Sequence, residues 1–433
     1  REEGSGALFR WLRETFPELE ERTLSDNHRA QTEITEKVRD IWPRLREEDP
    51  DWQSIRRYLL DIFSVDAELA HSDRDLRESA TDTEKRTAVL CRFNSTALLQ
   101  SASLRRLGIP HVIQRGASDR CVPAWVAELL GSEEHLVGKS RFVTLHGESN
   151  LEGLPPVDRA WRSLRAAAAD GPAQIRLSIL AQKIARDHLP DDLNEPASAP
   201  LVISTIHRSK GREFERVVLL NERHWHEVPD GHKSAEETRL LFVALSRARD
   251  EIWKKEPPFV GAWRPEKNRD RWTQVHGGGS LAAVEIKATD VEHTRPPGDC
   301  PVSGASDTDP VEIQRYLSEE VRVGDPVVLE YIFHTTGGEP CVFYRITHCG
   351  QVIGVTSEKF GEDFASMLDA GWRDRMRWPM KISGVHIDTV ATMGSGSEAV
   401  AHNAGLGRSG LLLYPRVIGF GIVEDWQSGN GEG

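Results

Sequence analysis

Residues 88–113 read "AVLCRFNSTALLQSASLRRLGIPHVI": a short apolar run, a helix-length segment, a glycine stop and a second apolar run. Ala88 to Cys91 has the composition of a buried strand. Ser95 or Thr96 can cap a helix running to about Leu107, Gly108 ends it, and Pro110 to Ile113 opens another strand. Two strands joined through a helix run parallel, because a crossover of this length is what a parallel pair requires. The segment therefore points to an α/β fold with a parallel sheet.

The same arrangement returns later. Leu201 to Thr205 and Arg216 to Leu220 are apolar strands on either side of a charged turn, within "STIHRSKGREFERVVLL". A strand ending in a glycine-containing polar turn puts Thr205, His207, Lys210 and Glu213 at its carboxyl edge, where open α/β sheets bind ligands. An amphipathic helix follows, "SAEETRLLFVALSRARDEI", in which Ser234 and Glu237 have capping-box spacing. Leu240, Leu241, Val243, Ala244 and Leu245 supply its buried face, so Arg239, Arg247 and Arg249 fall elsewhere. Arginine presents a fixed fork suited to phosphate oxygens, whereas a lone helix-terminal arginine is usually a partner of the helix dipole.

A chain of 433 residues is long enough for two or three domains. No apolar run approaches a membrane span, and no apolar signal core follows Arg1, so a cytoplasmic protein with no membrane partner is expected. The five cysteines are never spaced as C-x-x-C, which argues against a zinc ribbon or a disulfide framework, and no metal ligands are assigned. The net charge of -13 is uneven: residues 276–433 carry 12 Lys and Arg against 22 Asp and Glu. Phosphates are repelled by such a surface, so a nucleic-acid contact is expected earlier in the chain.

Four blocks taken together resemble a family. "LSDNHRA" (24–30), the strand–helix–strand segment above, "STIHRSKGREFERVVLL" (204–220) and "EETRLLFVALSRAR" (236–249) look like motifs IV, IVa, V and VI of the superfamily 1 DNA helicases of the UvrD/PcrA/Rep type, in that order. The resemblance implies a second RecA-like domain, a parallel sheet with flanking helices, belonging to an ATP-driven translocase that moves 3′ to 5′ on single-stranded DNA. Carried over by position, Arg29 and Arg247 would reach the γ-phosphate of ATP, and Gly211, Glu213 and His28 would bind the nucleotide, with His28 standing where the family usually has a base-stacking Tyr. Thr205, His207, Arg92 and Asn94 would line the single-strand path. Arginine charge supplied across a cleft stabilises a transferring phosphoryl group and couples closure to hydrolysis.

The resemblance implies these boundaries: 1–114 for the first part of the RecA-like domain, 115–200 for a reduced helical insert, and 201–260 for the remainder. "RPEKNRDRW", "HGGGS" and "RPPGDCPVSGASDTDP" read as a linker over 261–310. Residues 311–433 read as an acidic, β-rich α+β domain, with strands in "DPVVLEYIF", "PCVFYRITH", "QVIGVTS", "VHIDTVA" and "RVIGFGIVEDW" and one helix in "GEDFASMLDAGW". Glu285, Lys287 and Asp388 resemble nuclease residues in the wrong order. Trp372, Trp378 and Trp426 suggest instead a protein-docking face, with a purely structural appendage as the alternative.

A helicase also needs a phosphate-cradling loop, G-x-x-x-x-G-K-[ST], before a helix. In "GSEEHLVGKS" the spacing from Gly131 to Gly138 is two residues too long, and "RFVTL" after it reads as a strand. An acidic magnesium-binding pair is not recognised either. The expectation is the carboxyl-terminal half of a motor, inactive alone, whose Mg2+ ligands and N-terminal RecA-like domain lie upstream or on another chain. The alternative is a non-hydrolysing DNA-binding or adaptor protein that kept the fold.

Overall fold

The computed structural model describes residues 11–16, 18, 32–69, 73–116, 119, 121–151, 153–186, 193, 199–226, 232–258, 264–265, 271–275, 281–293, 309–336, 339–367, 378–395 and 406–426. Three short or medium strands precede residue 115: β1 (Glu68–Leu69), β2 (Thr87–Cys91) and β3 (Val112–Ile113). Next come β4 (Val122–Pro123), β5 (Leu136–Gly138), β6 (Ala169–Asp170) and β7 (Gln174–Arg176), then β8 (Leu201–Thr205), β9 (Phe214–Leu220) and β10 (Ala248–Lys255).

The sheet is parallel, as the sequence predicts: β1, β2, β3, β8, β9 and β10 lie in the order β1-β10-β9-β2-β8-β3, with β1 and β10 added to the four expected strands. Period-two alternation sends successive side chains to opposite faces. Ala88, Leu90, Val202, Val217 and Leu219 meet Val38, Ile55, Leu59, Leu240 and Leu241 from the helices Glu33–Arg39, Trp52–Asp61 and His232–Leu245. Val89, Cys91, Leu201, Ile203, Val218 and Leu220 meet Leu76, Ala80, Ala97 and Leu104 from the helices Asp73–Thr81 and Asn94–Arg106. Both faces are therefore covered, which is why β2 and β8 are buried end to end.

The remaining strands are β11 (Arg264–Pro265), β12 (Trp272–Val275), β13 (Leu281–Ile286), β14 (Pro326–Thr336), β15 (Glu339–His348), β16 (Gln351–Val355), β17 (Pro379–Gly394) and β18 (Leu411–Trp426). They form an antiparallel sheet in the order β11-β12-β13-β18-β17-β14-β15-β16. β4 joins it by pairing with β17. One core unites this sheet with the insert, since Val126, Phe142, Leu164 and Leu180 pack in the same cluster as Val284, Leu329, Ile387 and Leu413. The helix Leu177–Ala185 lies so close to β17 that a Cβ on Gly394 would sit 1.9 Å from the Ala181 carbonyl oxygen.

Several expectations are corrected. The stretch read as a linker supplies β11, β12 and β13, because "WTQV" pairs with "LAAVEI" and "LAAVEI" pairs with β18. The insert contains the helices Ala124–Leu130, Lys139–Glu148, Val157–Ala168 and Leu177–Ala185, plus a small sheet β5-β7-β6, and is built onto the C-terminal sheet. "RFVTL" is helical, inside Lys139–Glu148, with Phe142 buried. The first helix of the opening segment begins at Asn94 with Phe93 at its N-cap, not at Ser95 or Thr96. Trp378 is buried against Tyr331 and Trp426 packs on the core, so neither offers a docking face; Trp372 lies outside the described residues. Among the described residues, no helix is long and apolar enough to cross a membrane.

Candidate nucleic-acid and nucleotide interface

β2 and β8 lie side by side with Leu90 opposite Ser204 and Cys91 opposite Thr205. Their carboxyl ends consequently deliver Arg92, Phe93 and Asn94 next to Thr205, Ile206 and His207. Thr205 is buried and acts as the N-cap of a one-turn helix, Ile206–Ser209, its hydroxyl accepting from the Arg208 N–H at 3.4 Å. That turn presents His207 at the surface. Partial burial, then the nearby Arg92 and Lys210, hold His207 below its ordinary pKa, while Glu236 and Glu237 act in the opposite direction. These five side chains thus feel one another at one sheet edge. Asn94 is the first residue of its helix and is partly buried.

Arg92 is held on both sides. Its backbone N–H donates to Glu222 at 3.0 Å, and its guanidinium makes a two-pronged pair with Glu237, at 2.8 and 3.1 Å. Glu237 therefore does not serve a capping box: the helix starts at His232, and the Ser234 carbonyl accepts from the Thr238 hydroxyl at 2.7 Å.

The far end of the same helix carries the second half of the site. Arg247 donates through Nε to the Val243 carbonyl at 3.1 Å, through Nη1 to the Arg212 carbonyl at 3.2 Å and through Nη2 to Ser246 Oγ at 3.1 Å. The Phe214 N–H returns to the Arg247 carbonyl at 3.0 Å. The turn Lys210–Glu213 is stitched to the helix end by these bonds, and Gly211 reaches it with φ +81°, a conformation glycine adopts without strain. Glu213 is half-buried in that turn beside Arg212. Burial and the neighbouring Arg86 lower the pKa of Arg212.

The structure brings together Arg92, Asn94, Thr205 and His207 at one end, and Gly211, Glu213 and Arg247 at the other. His28 and Arg29 lie outside the described residues. Glu237 and Phe93 are participants that sequence reasoning missed; the first was masked by its capping-box spacing and the second is a hydrophobic residue in a polar motif. Glu285 and Asp388 are structural: Glu285 accepts from the Trp272 N–H, and Asp388 pairs with Arg115 at 3.0 Å.

Do the residues present suit a nucleotide? The Lys139 N–H donates to the Ala173 carbonyl at 3.1 Å and its ammonium pairs with Asp158 at 3.1 Å. "GKS" therefore opens a helix whose first donor is already committed to the turn between β6 and β7, and no phosphate cradle forms there. Arg247, Gly211 and Glu213 lie together where the turn after β8 meets the end of the helix His232–Leu245. Among the described residues, no group of three or more His, Cys, Asp or Glu side chains is arranged to hold a metal ion.

The UvrD-like helicase C-terminal domain family matches residues 200–253, which hold β8, the turn, β9, the helix with Glu237 and Arg247, and most of β10. No curated protein matches the sequence. One similar solved structure is the C-terminal domain of a possible DNA helicase from Lactobacillus plantarum WCFS1, at 10% identity and a TM-score of 0.12, covering 44% of this chain and 87% of that one. Over residues 200–253, which hold Thr205, His207, Gly211, Glu213 and Arg247, the chain is similar to the UvrD-like helicase C-terminal domain family.

Proposed function

We propose that the chain works as the carboxyl-terminal half of an ATP-dependent motor that moves 3′ to 5′ on single-stranded DNA. One observation carries this reading: a single helix, His232–Leu245, holds Glu237 against Arg92 near its start and leads directly into Arg247 at its end. Ten residues of helix span roughly 15 Å at about 1.5 Å per residue, so the strand path and the nucleotide edge are separated but mechanically joined.

On this reading Arg92, Asn94, Thr205 and His207 touch phosphate and sugar, which carries little sequence information and suits a translocase. Arg247 brings positive charge toward a γ-phosphate from across the cleft, with Glu213 and Gly211 flanking the nucleotide; ATP would supply the transferring phosphoryl group, and a first RecA-like domain, in this polypeptide or another, would supply the cradle and the Mg2+ ligands. Arg29 and His28 are assigned to the same cleft on the family resemblance.

The test is direct. The chain is titrated with a fluorescent thymidine oligomer and with the matching duplex, at several salt concentrations. Binding that favours the single strand and weakens steeply with salt supports the reading. Salt-independent or absent binding removes the strand path. ATP turnover that appears when a UvrD-type first domain is added, and depends on Arg247, supports the motor over a non-hydrolysing adaptor.

A further inference from the structure

Phe93 stands where the helix Asn94–Arg106 begins, as its N-cap, and its side chain makes no cap hydrogen bond. Ser, Thr, Asp or Asn at such a position typically contributes about 1 kcal/mol. The chain forgoes that contribution and instead leaves a phenyl ring 36% exposed at the carboxyl edge of β2. Local rules are most often broken where function requires it.

The surroundings of the ring are specific. Trp272, the first residue of β12, approaches from the antiparallel sheet with ring centroids 5.8 Å apart and planes inclined at 59°. Its backbone N–H is fixed by Glu285 at 3.0 Å, and its ring rests partly buried on Leu98, Ile113, Ala283 and Phe420. The Arg92 guanidinium lies 5.0 Å from the Phe93 ring centroid. An exposed aromatic, a second ring set as a wall and a cation beside the first ring combine the two contacts a single strand offers, a base face for stacking and a phosphate for pairing.

We infer that Phe93 and Trp272 form a base-stacking platform in the single-strand path, so that the antiparallel C-terminal sheet contributes directly to DNA binding. The inference rests on the strand-path reading of Arg92 and His207 and adds a second kind of contact to it. A base leaving the Arg92–His207 edge stacks on Phe93, and Trp272 limits its sideways displacement. Every base has a π face, so the contact is indifferent to sequence.

The experiment compares a thymidine oligomer with an abasic oligomer of equal length, by fluorescence anisotropy, for the full chain and for Phe93→Leu, Phe93→Trp and Trp272→Leu. Leucine keeps apolar bulk at either position and so separates stacking from collapse of the fold; circular dichroism confirms that each variant is folded. Phe93→Leu is expected to weaken the thymidine oligomer about tenfold while leaving the abasic one unchanged, with Phe93→Trp retaining the wild-type value. Trp272→Leu should give a smaller loss in the same pattern. Equal loss on both oligomers, or no loss on either, overturns the platform while leaving the phosphate contacts intact. If the wild-type chain binds neither oligomer, the strand-path reading itself fails, and the platform with it.

Discussion

Arg92 and Glu237 are joined by a two-pronged ion pair, with Nη2 2.8 Å from Oε1 and Nε 3.1 Å from each carboxylate oxygen. Both side chains are only 16% exposed, so the pair is neither a fully solvated surface contact nor a dry core one. A phosphate entering the edge competes with Glu237 for the same guanidinium fork. On the proposed reading, occupancy of the edge by a strand would change what the helix His232–Leu245 is tied to.

Replacing Glu237 by Gln keeps the shape but withdraws the competing charge. The Glu237→Gln variant is expected to bind single-stranded DNA more tightly, with the logarithmic salt slope steeper by up to about one unit as Arg92 becomes more available to phosphate. Arg92→Ala should do the reverse. A salt titration in which both variants match the wild type would remove Arg92 from the path.

Arg247 makes the complementary prediction. Its three donors bridge Val243, Arg212 and Ser246, a geometry that a lysine ammonium on its flexible stem does not reproduce. In a motor completed with its first domain, Arg247→Lys and Arg247→Ala are expected to lower ATP turnover by roughly 10³-fold or more, the scale associated with arginines that serve phosphoryl transfer. Single-strand affinity should change little, because Arg92 and His207 sit at the other end of the helix. Turnover close to wild type in both variants would show that the arginine only ties down the turn.

How much of this was legible in the sequence follows from where the signals are local. Ala88–Cys91, Leu201–Thr205 and Arg216–Leu220 announce a parallel sheet because both faces of a covered strand must be apolar, and that requirement is written within a few residues. Gly211 is legible for a similarly local reason, since a tight polar turn between two strands calls for a residue that tolerates positive φ. The partnership of Arg92 with Glu237 spans 145 positions and competes with a plausible local role for Glu237, so spacing pointed to the wrong one. The 261–310 stretch reads as linker because "WTQV" is short and has Gly and Pro nearby; its pairing with β13, which in turn pairs with β18, makes it a strand. "RFVTL" is rich in strand formers, yet Phe142 finds its buried site on a helix, a case of tertiary packing overriding propensity.

Where the insert meets the antiparallel sheet, Asp388 Oδ2 lies 3.0 Å from Arg115 Nε and 3.7 Å from Arg416 Nε, while Arg416 also pairs with Asp119. Asp388, Arg115 and Arg416 are nearly inaccessible, and neutralising Asp388 takes away the counter-charge that the two buried guanidinium groups share. Asp388→Asn is therefore expected to cost on the order of 3–5 kcal/mol. Limited proteolysis at rising urea should show the insert and the C-terminal sheet opening together and earlier, since they share one core. Combining Asp388→Asn with Arg115→Gln should recover part of the loss. Unaltered urea resistance in the single variant would mean that the cluster is solvated in solution.

The last prediction concerns acid. His111 is buried, with Nδ1 2.8 Å from the Ile109 carbonyl oxygen and Nε2 2.7 Å from Ser101 Oγ. A carbonyl only accepts, so the neutral ring keeps its proton on Nδ1 and Nε2 accepts from the serine hydroxyl. Burial, then the charge of Arg105, lower its pKa to about 4; burial and Arg105 bring His386 to about 4 as well. Between about pH 6.5 and 4 the unfolded chain binds protons at these rings and the folded chain does not, so stability falls as the pH is lowered through that window and levels off below it. At about 1.4 kcal/mol per unit, His111 alone accounts for on the order of 3 kcal/mol across the window, and His386, less deeply buried, for less. Urea unfolding followed from pH 7 to pH 5, above the range where most carboxylates titrate, should give a midpoint that drops with acidification. His111→Gln should flatten that dependence by roughly one proton's worth of slope. A midpoint constant from pH 7 to pH 5 would mean that both rings take up protons as readily folded as unfolded.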